Sequence, residues 1–383
     1  MSKLVYPDYY NDSILNTITS VLKKYDVETE YNSLNELDKV LEKNYKNVVF
    51  IVLDGMGEKI LNGISLEGFF NKNKIKTVTS VYPSATVAAL TTYYSGLPPY
   101  ASGWVAWSQY FKDYGRAVDM FSQKESYERN EINKSRKNVF QDVVSYETIF
   151  EKIEKMGIKA VEITPSYSSA RGKISLRADT VDDSLDMVEF ISSAEGEKFI
   201  FVYIDNPDGL LHKYGCGSDE VKEFVLEVQN KIERLSEKLS DSLIIVTADH
   251  GQKNIEKVYS TIDDEELFEM YQMPPTLESR AVAYYIKDNK KKEFKERFEM
   301  FYKDDFLLLS KEEVLEKGIL GYGKKHKRLD DFIGDFLAIS ISDSIMRLET
   351  FLAEGKPVKR STHCGLTEDE MLVPVIAIEC NKK

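Results

Sequence analysis

The sequence predicts an α/β fold: a mainly parallel central sheet with helices on both faces, plus a small α+β cap insertion. Three observations lead there. Continuous apolar, β-branched runs recur at 47–53, 198–204 and 241–247, short enough for strands and apolar enough to be buried on both sides. Helical patterns fall between the runs, the alternation that a parallel sheet requires. Each run also ends in acidic or histidine residues, at Asp54-Gly-Met-Gly57, Asp-Asn-Pro-Asp208 and Asp249-His250-Gly251. In open sheets of this kind, ligands gather outside the carboxyl ends of the strands.

The elements follow in chain order. After the strand 47–53, the segment Ser80-Val-Tyr-Pro-Ser-Ala-Thr86 starts with a proline turn and continues as a small-residue helix toward Ser95-Gly96. A helix over 146–156, a glycine stop at Gly157 and a strand over 157–163 come next. Beyond the strand 198–204, a helical turn after Pro207 would place Asp208 and His212 on one face. Residues 219–238 carry apolar side chains at helical spacing behind the candidate caps Ser218 and Asp219. From 256 to 345 the character changes to a strand at 280–286, a charged helix at 289–302, a strand at 306–309 and a helix at 311–317. A basic loop, Lys324-Lys-His-Lys-Arg328, then leads to a strand at 334–340. This stretch reads as a cap over the site, with 1–255 and 346–383 forming the catalytic domain. A last strand is expected at 373–378.

Composition narrows the function. A formal net charge of −13 and a pI of about 5.1 argue against a nucleic acid polymer as partner. A small phosphorylated substrate stays compatible, because bound dications reverse the local field. The cysteines, Cys216, Cys364 and Cys380, have no framework spacing, and no apolar run approaches a membrane span. A cytoplasmic protein without a membrane partner is the expectation; the oligomeric state is open.

The chemistry starts from the histidines. Three of the four stand beside or one helical turn from an acidic or small polar residue: His212, His250 and His363. Imidazole with carboxylate is the ligand set of zinc and related metals in open catalytic sites. Asp208 pairs with His212, Asp249 with His250, and Asp54 is placed to join Asp249. Thr86, at a helix N-terminus, would gain from exposed N–H groups and the positive end of the dipole. A metal beside it could deprotonate its hydroxyl. Taken alone, Thr86 reads equally as an ordinary N-cap. His326 reads as a solvated surface histidine and Cys364 as a small packing residue. Trp104 and Trp107 are either core or the stacking wall of a substrate pocket. Arg171 and Arg177 are either anion binders or ordinary loop cations.

In this order, Asp54, Tyr-Pro-Ser-Ala-Thr86, Pro207-Asp208-x-x-x-His212, Thr247-Ala-Asp249-His250-Gly251 and Thr362-His363 resemble the alkaline phosphatase superfamily, within it the type I phosphodiesterase/nucleotide pyrophosphatases. The resemblance spans 47–104 and 198–252 and resumes at 361–374. It implies two divalent ions, zinc first, with manganese or iron as alternatives. Asp208, His212 and His363 would hold one ion, and Asp54, Asp249 and His250 the other. Thr86 would reach the second ion, attack phosphorus and form a covalent phospho-threonine. The implied substrate is a small phosphodiester, possibly nucleotide-like; a phosphomonoester, phosphonate, sulfate ester or mutase substrate is the alternative. The resemblance also implies a side-chain amide donor near the nucleophile, yet the position three residues on is Ala89.

Overall fold

The computed structural model describes residues 3–127, 143–348 and 358–380. Its central sheet has seven strands, in the order Lys74–Thr79, Leu372–Cys380, Ser242–Thr247, Asn47–Leu53, Lys198–Ile204, Lys159–Thr164, Ser175–Arg177. Asn47–Leu53 pairs in parallel with both Lys198–Ile204 and Ser242–Thr247. Every residue of these three strands is buried, as uniform apolar runs require. Leu372–Cys380 pairs antiparallel with both its neighbours, so it alone of the seven runs against the rest.

Helices flank this sheet, and their ends follow local chemistry. Asp219–Lys238 is capped by the Ser218 hydroxyl, which accepts the Val221 N–H. The helix expected over 146–156 is shorter, Ile149–Lys155. Thr148 and Glu151 form a capping box there, which starts the helix at Ile149. The expected turn after Pro207 is the helix Asp208–Tyr214.

A second seven-stranded sheet runs in the order Phe306–Ser310, Phe336–Ser340, Ala281–Ile286, Tyr271–Glu278, Ser108–Phe111, Arg116–Asp119, Lys124–Glu125. The sequence pattern placed the insertion at 256–345; this sheet also takes in strands from 108–125. Ala281–Ile286 shows how it joins the body. Ala281, Ala283 and Tyr285 pack in the core that also contains the central sheet, while Val282, Tyr284 and Ile286 pack with Phe294 and Phe298 of the helix Lys291–Tyr302. Side chains of a strand alternate between faces, so one strand serves both cores.

One buried ion pair fixes the loop carrying His363. Arg280 and Glu370 are both fully buried, with Nε donating to Oε1 at 2.6 Å and Nη2 to Oε2 at 2.7 Å. The rest of the guanidinium donates to the Ser344 and Ser342 carbonyls, and Glu370 accepts the Gly365 N–H at 2.7 Å. Removing one partner strands a charge in the core. Arg280→Met is therefore expected to lower unfolding stability by about 3–5 kcal/mol, read from a denaturant melt. A loss under about 1 kcal/mol would show that the pair does not hold this loop.

Candidate active site

The seven side chains singled out for catalysis and metal binding meet at the carboxyl edge of the central sheet. Asp54 follows the strand Asn47–Leu53, and Asp249 and His250 follow Ser242–Thr247. Asp208 and His212 sit on the short helix after Lys198–Ile204, and His363 follows the two-residue strand Ser361–Thr362. His250 is the hub. Its Nε2 lies 3.1 Å from Thr86 Oγ1, 3.3 Å from Asp249 Oδ2 and 3.5 Å from Asp54 Oδ1. The His363 ring stacks on it at 3.8 Å between centroids. His363 Nε2 lies 3.8 Å from Asp208 Oδ1, and His212 Nε2 lies 3.3 Å from Asp208 Oδ2.

The three imidazoles share one orientation. Nδ1 of His250 faces the Gly251 carbonyl at 3.0 Å, that of His363 the Ser84 carbonyl at 2.9 Å, and that of His212 the Ser361 carbonyl at 2.7 Å. A carbonyl brings no proton, so each Nδ1–H donates and each Nε2 keeps its lone pair for the cluster. Such outer hydrogen bonds are how proteins orient metal-binding histidines. Burial holds the His363 pKa well below the usual range, with His250 and His212 adding to the effect; His212 is also lowered, mainly by burial.

The carboxylates call for a cation. Asp54 Oδ1 and Asp249 Oδ2 are buried without a hydrogen-bond partner. Their other oxygens are used: Tyr203 donates its hydroxyl to Asp54 Oδ2, and Gly55 and His250 donate N–H groups to Asp249 Oδ1. Burial pushes the Asp54 carboxyl well above its ordinary value, and the nearby Asp249 and Asp208 push it further. Burial also raises Asp249, partly offset by His250 and the Gly55 N–H. Two unsatisfied oxygens among mutually repelling carboxylates are costly unless a metal completes them. Two groups have ligand atoms within 4.8 Å of one another: Asp54, Asp249 and His250, and Asp208, His250 and His363. The first is the set the resemblance implies. In the second His250 stands where His212 was expected, and His212 reaches that group through Asp208.

Thr86 is the first residue of the helix Thr86–Ser95, whose N-cap, Ala85, offers no side chain to the N–H groups. Serines tie the preceding loop to both histidine loops. Ser80 donates to the Asp249 carbonyl at 2.5 Å, and Ser84 Oγ donates to the Gly365 carbonyl and accepts the Cys364 N–H, both at 3.2 Å. Tyr93 donates to the Ala248 carbonyl at 2.8 Å, clamping the helix from its far side. Gln252, donating to Asp208 Oδ1, and Tyr203 complete the support. None of these supporting residues carries a sequence signal beyond its neighbours.

The remaining expectations divide, some corrected and some matched by the structure. Ala89 is fully buried in the core, and it is Leu90, one turn from Thr86, that lines the cavity. Trp104 is also core, 2% exposed, with its indole N–H donating to the Val144 carbonyl at 2.8 Å. Trp107 is 39% exposed and lines a cavity of about 480 Å³ together with Thr86, Asp54 and Asp208. Its N–H donates to Glu278 Oε1 at 2.9 Å. His326 is half-buried rather than solvated: its Nε2–H donates to the Val143 carbonyl, and its ring fills the space left by Gly103. The basic loop around it is spent on the surface, where Lys325 pairs with Asp330 and Arg328 with Asp113. Cys364 is buried, its thiol pushed up by burial, consistent with packing.

Buried carboxylates and imidazoles of this kind, with a threonine hydroxyl beside them, are the residue set used by metal-dependent hydrolases of phosphoric esters. The family model for type I phosphodiesterase / nucleotide pyrophosphatase matches residues 48–340, about three quarters of the chain. The chain belongs to that family. Among solved structures, murine ectonucleotide pyrophosphatase / phosphodiesterase 5 is similar in fold, at 18% identity and a TM-score of 0.64, over 87% of this chain and 88% of that one. An inactive form of the same murine protein, in complex with AMP, gives 16% identity and a TM-score of 0.65, over 88% of each chain. Phosphonoacetate hydrolase from Sinorhizobium meliloti 1021, in complex with phosphonoformate, gives 16% and 0.64, over 88% of this chain and 90% of that one. No curated protein matches the chain. Among the described residues, no helix is long and apolar enough to cross a membrane.

Proposed function

We propose that this protein hydrolyses small phosphodiesters through Thr86, with two divalent ions, zinc first, held by Asp54, Asp249 and His250 and by Asp208, His212 and His363. The supporting observation is the position of Thr86 Oγ1 on an uncapped helix N-terminus, 3.1 Å from His250 Nε2. Bound divalent ions would neutralise charge on the phosphoryl oxygens and favour the deprotonated hydroxyl. Thr86 Oγ1 forms the bond to phosphorus as the bond to the leaving oxygen breaks, giving phospho-threonine. Water then cleaves that ester and regenerates the hydroxyl. N–H groups at the helix N-terminus stabilise the charge that develops on the phosphoryl oxygens. Trp107 and Tyr94, in the cavity wall, would pack on the organic group.

A second reading has one observation behind it. Lys359 lines a chamber of about 290 Å³ together with Thr86 and His363, and a cation there suits a phosphomonoester or phosphonate. The deciding experiment is a panel of bis-p-nitrophenyl phosphate, thymidine 5′-(p-nitrophenyl phosphate) and p-nitrophenyl phosphate, run beside metal analysis. We expect two ions per chain, higher kcat/KM on the diesters and complete loss with a chelator. Preference for the monoester would move the assignment to the second reading. Fewer than two ions and no turnover on any ester would sink both.

A further inference from the structure

Sequence alone left Arg171 open between anion binder and loop cation. The structure puts it in the wall of the cavity of about 480 Å³ that contains Thr86, Asp54 and Asp208. Its guanidinium carbon lies 5.9 Å from the centre of the Tyr94 ring and 5.6 Å from that of Trp104. Its Nε is buried without a hydrogen-bond partner, and among the described residues no carboxylate lies within ion-pair distance. The backbone is fixed from below. Glu162, fully buried on the strand Lys159–Thr164, accepts the N–H groups of Arg171 at 2.9 Å and Gly172 at 3.2 Å on Oε2.

A guanidinium held against two aromatic rings is partly stripped of water, a cost that cation–π contact offsets only in part. Three carboxylates line this cavity, Asp54, Asp205 and Asp208, and none of them pairs with Arg171. The chain is acidic overall, so an anion would not be drawn here by the general field. What remains is a preformed planar fork facing a cavity, the geometry that recognises carboxylate or phosphate.

We propose that Arg171 binds an anionic group, carboxylate or phosphate, on the part of the substrate that stays attached to phosphorus and lies along this cavity. The inference rests on the hydrolase reading above and adds a requirement to it: the substrate carries a second anion. Arg171 flanks Tyr94, two turns beyond Thr86 and roughly 12 Å along the helix, so a spacing on the order of 10 Å between phosphorus and the second anion is the one to test. Leu90, Trp107 and Phe121 line the same cavity and suit an apolar or aromatic spacer.

The test is binding, independent of turnover. Biphenyl-4-phosphonate, its 4′-carboxy derivative and biphenyl-4,4′-diphosphonate share a phosphate mimic and spacer and differ only at the far end. Calorimetry on the full-length, zinc-supplied protein is expected to show the two charged probes binding about 10- to 100-fold tighter than the first. Whichever of the two gains more identifies the group as carboxylate or phosphate. In R171M that gain should shrink to about 2-fold or less, and R171K should keep part of it, having the charge without the fork. A merely structural arginine would change the affinity for all three probes alike. Equal binding of the three by the wild-type protein, or a gain that survives in R171M and R171Q, overturns the inference while leaving the hydrolase reading intact. Failure of all three to bind also overturns the inference, and turnover on the ester panel then decides the hydrolase reading by itself.

Discussion

Thr86→Ala is expected to reduce kcat on bis-p-nitrophenyl phosphate by on the order of 1000-fold or more, with KM little changed. Thr86 lies half-buried at the first position of its helix, with its hydroxyl 3.1 Å from His250 Nε2. Alanine is a good helix former, so the melting temperature should stay near that of the wild type. The loss would then be chemical rather than structural. Thr86→Ser, which keeps a hydroxyl, should retain measurable turnover, and quenched reactions should trap phosphate on residue 86. A Thr86→Ala protein with an undiminished rate would eliminate the covalent route and leave direct attack by water.

The second large effect is at Asp249, where activity and metal-free stability should move in opposite directions. Asp249→Asn keeps an oxygen for the Gly55 and His250 N–H groups but removes the charge. Outer-shell changes around metals already cost 10- to 100-fold, so loss of a carboxylate proposed to ligate the ion should lower activity by roughly 100-fold or more. Without metal, the same change relieves repulsion among Asp249, Asp54 and Asp208, and the variant should melt higher than the metal-free wild type. The pH dependence has a defined sign. The folded-state pKa values of Asp54 and Asp249 are raised, so the folded state binds protons more tightly than the unfolded one. Metal-free stability therefore falls as pH rises above the unfolded carboxylate range, near 4. His363 and His212 are lowered, so their contribution is lost as pH falls below the unfolded imidazole value, near 6.5. Metal must displace protons from both kinds of ligand. The zinc-dependent gain in melting temperature should consequently widen from about pH 5 to about pH 8. A gain that is flat or shrinks with pH would mean that these groups do not ligate.

How much of this was legible before folding depended on range. The strands Asn47–Leu53, Lys198–Ile204 and Ser242–Thr247 were readable because burial on both faces leaves an uninterrupted apolar run. The strand Tyr271–Glu278 was not: it contains Pro274 and Pro275 and shifts register twice against Ala281–Ile286. Proline and irregular pairing erase the period-2 signal that marks a strand. The short strands Ser108–Phe111 and Arg116–Asp119 were missed for a related reason, since four residues each hold too little pattern to read.

The same division runs through the site. Sequence alone determined the α/β architecture and the residue types of the cluster, because strand ends that place carboxylates and imidazoles at one sheet edge leave a local trace beside each apolar run. Only the tertiary structure decided that Trp107 lines the cavity while Trp104 is core, that Ala89 faces inward, that His250 stands between both ligand groups, and that Arg171 points into the cavity. Those outcomes depend on how segments distant in the chain pack. The Arg280–Glu370 pair, which holds the His363 loop, spans 90 positions, and no local periodicity encodes which partner a side chain will meet at that distance.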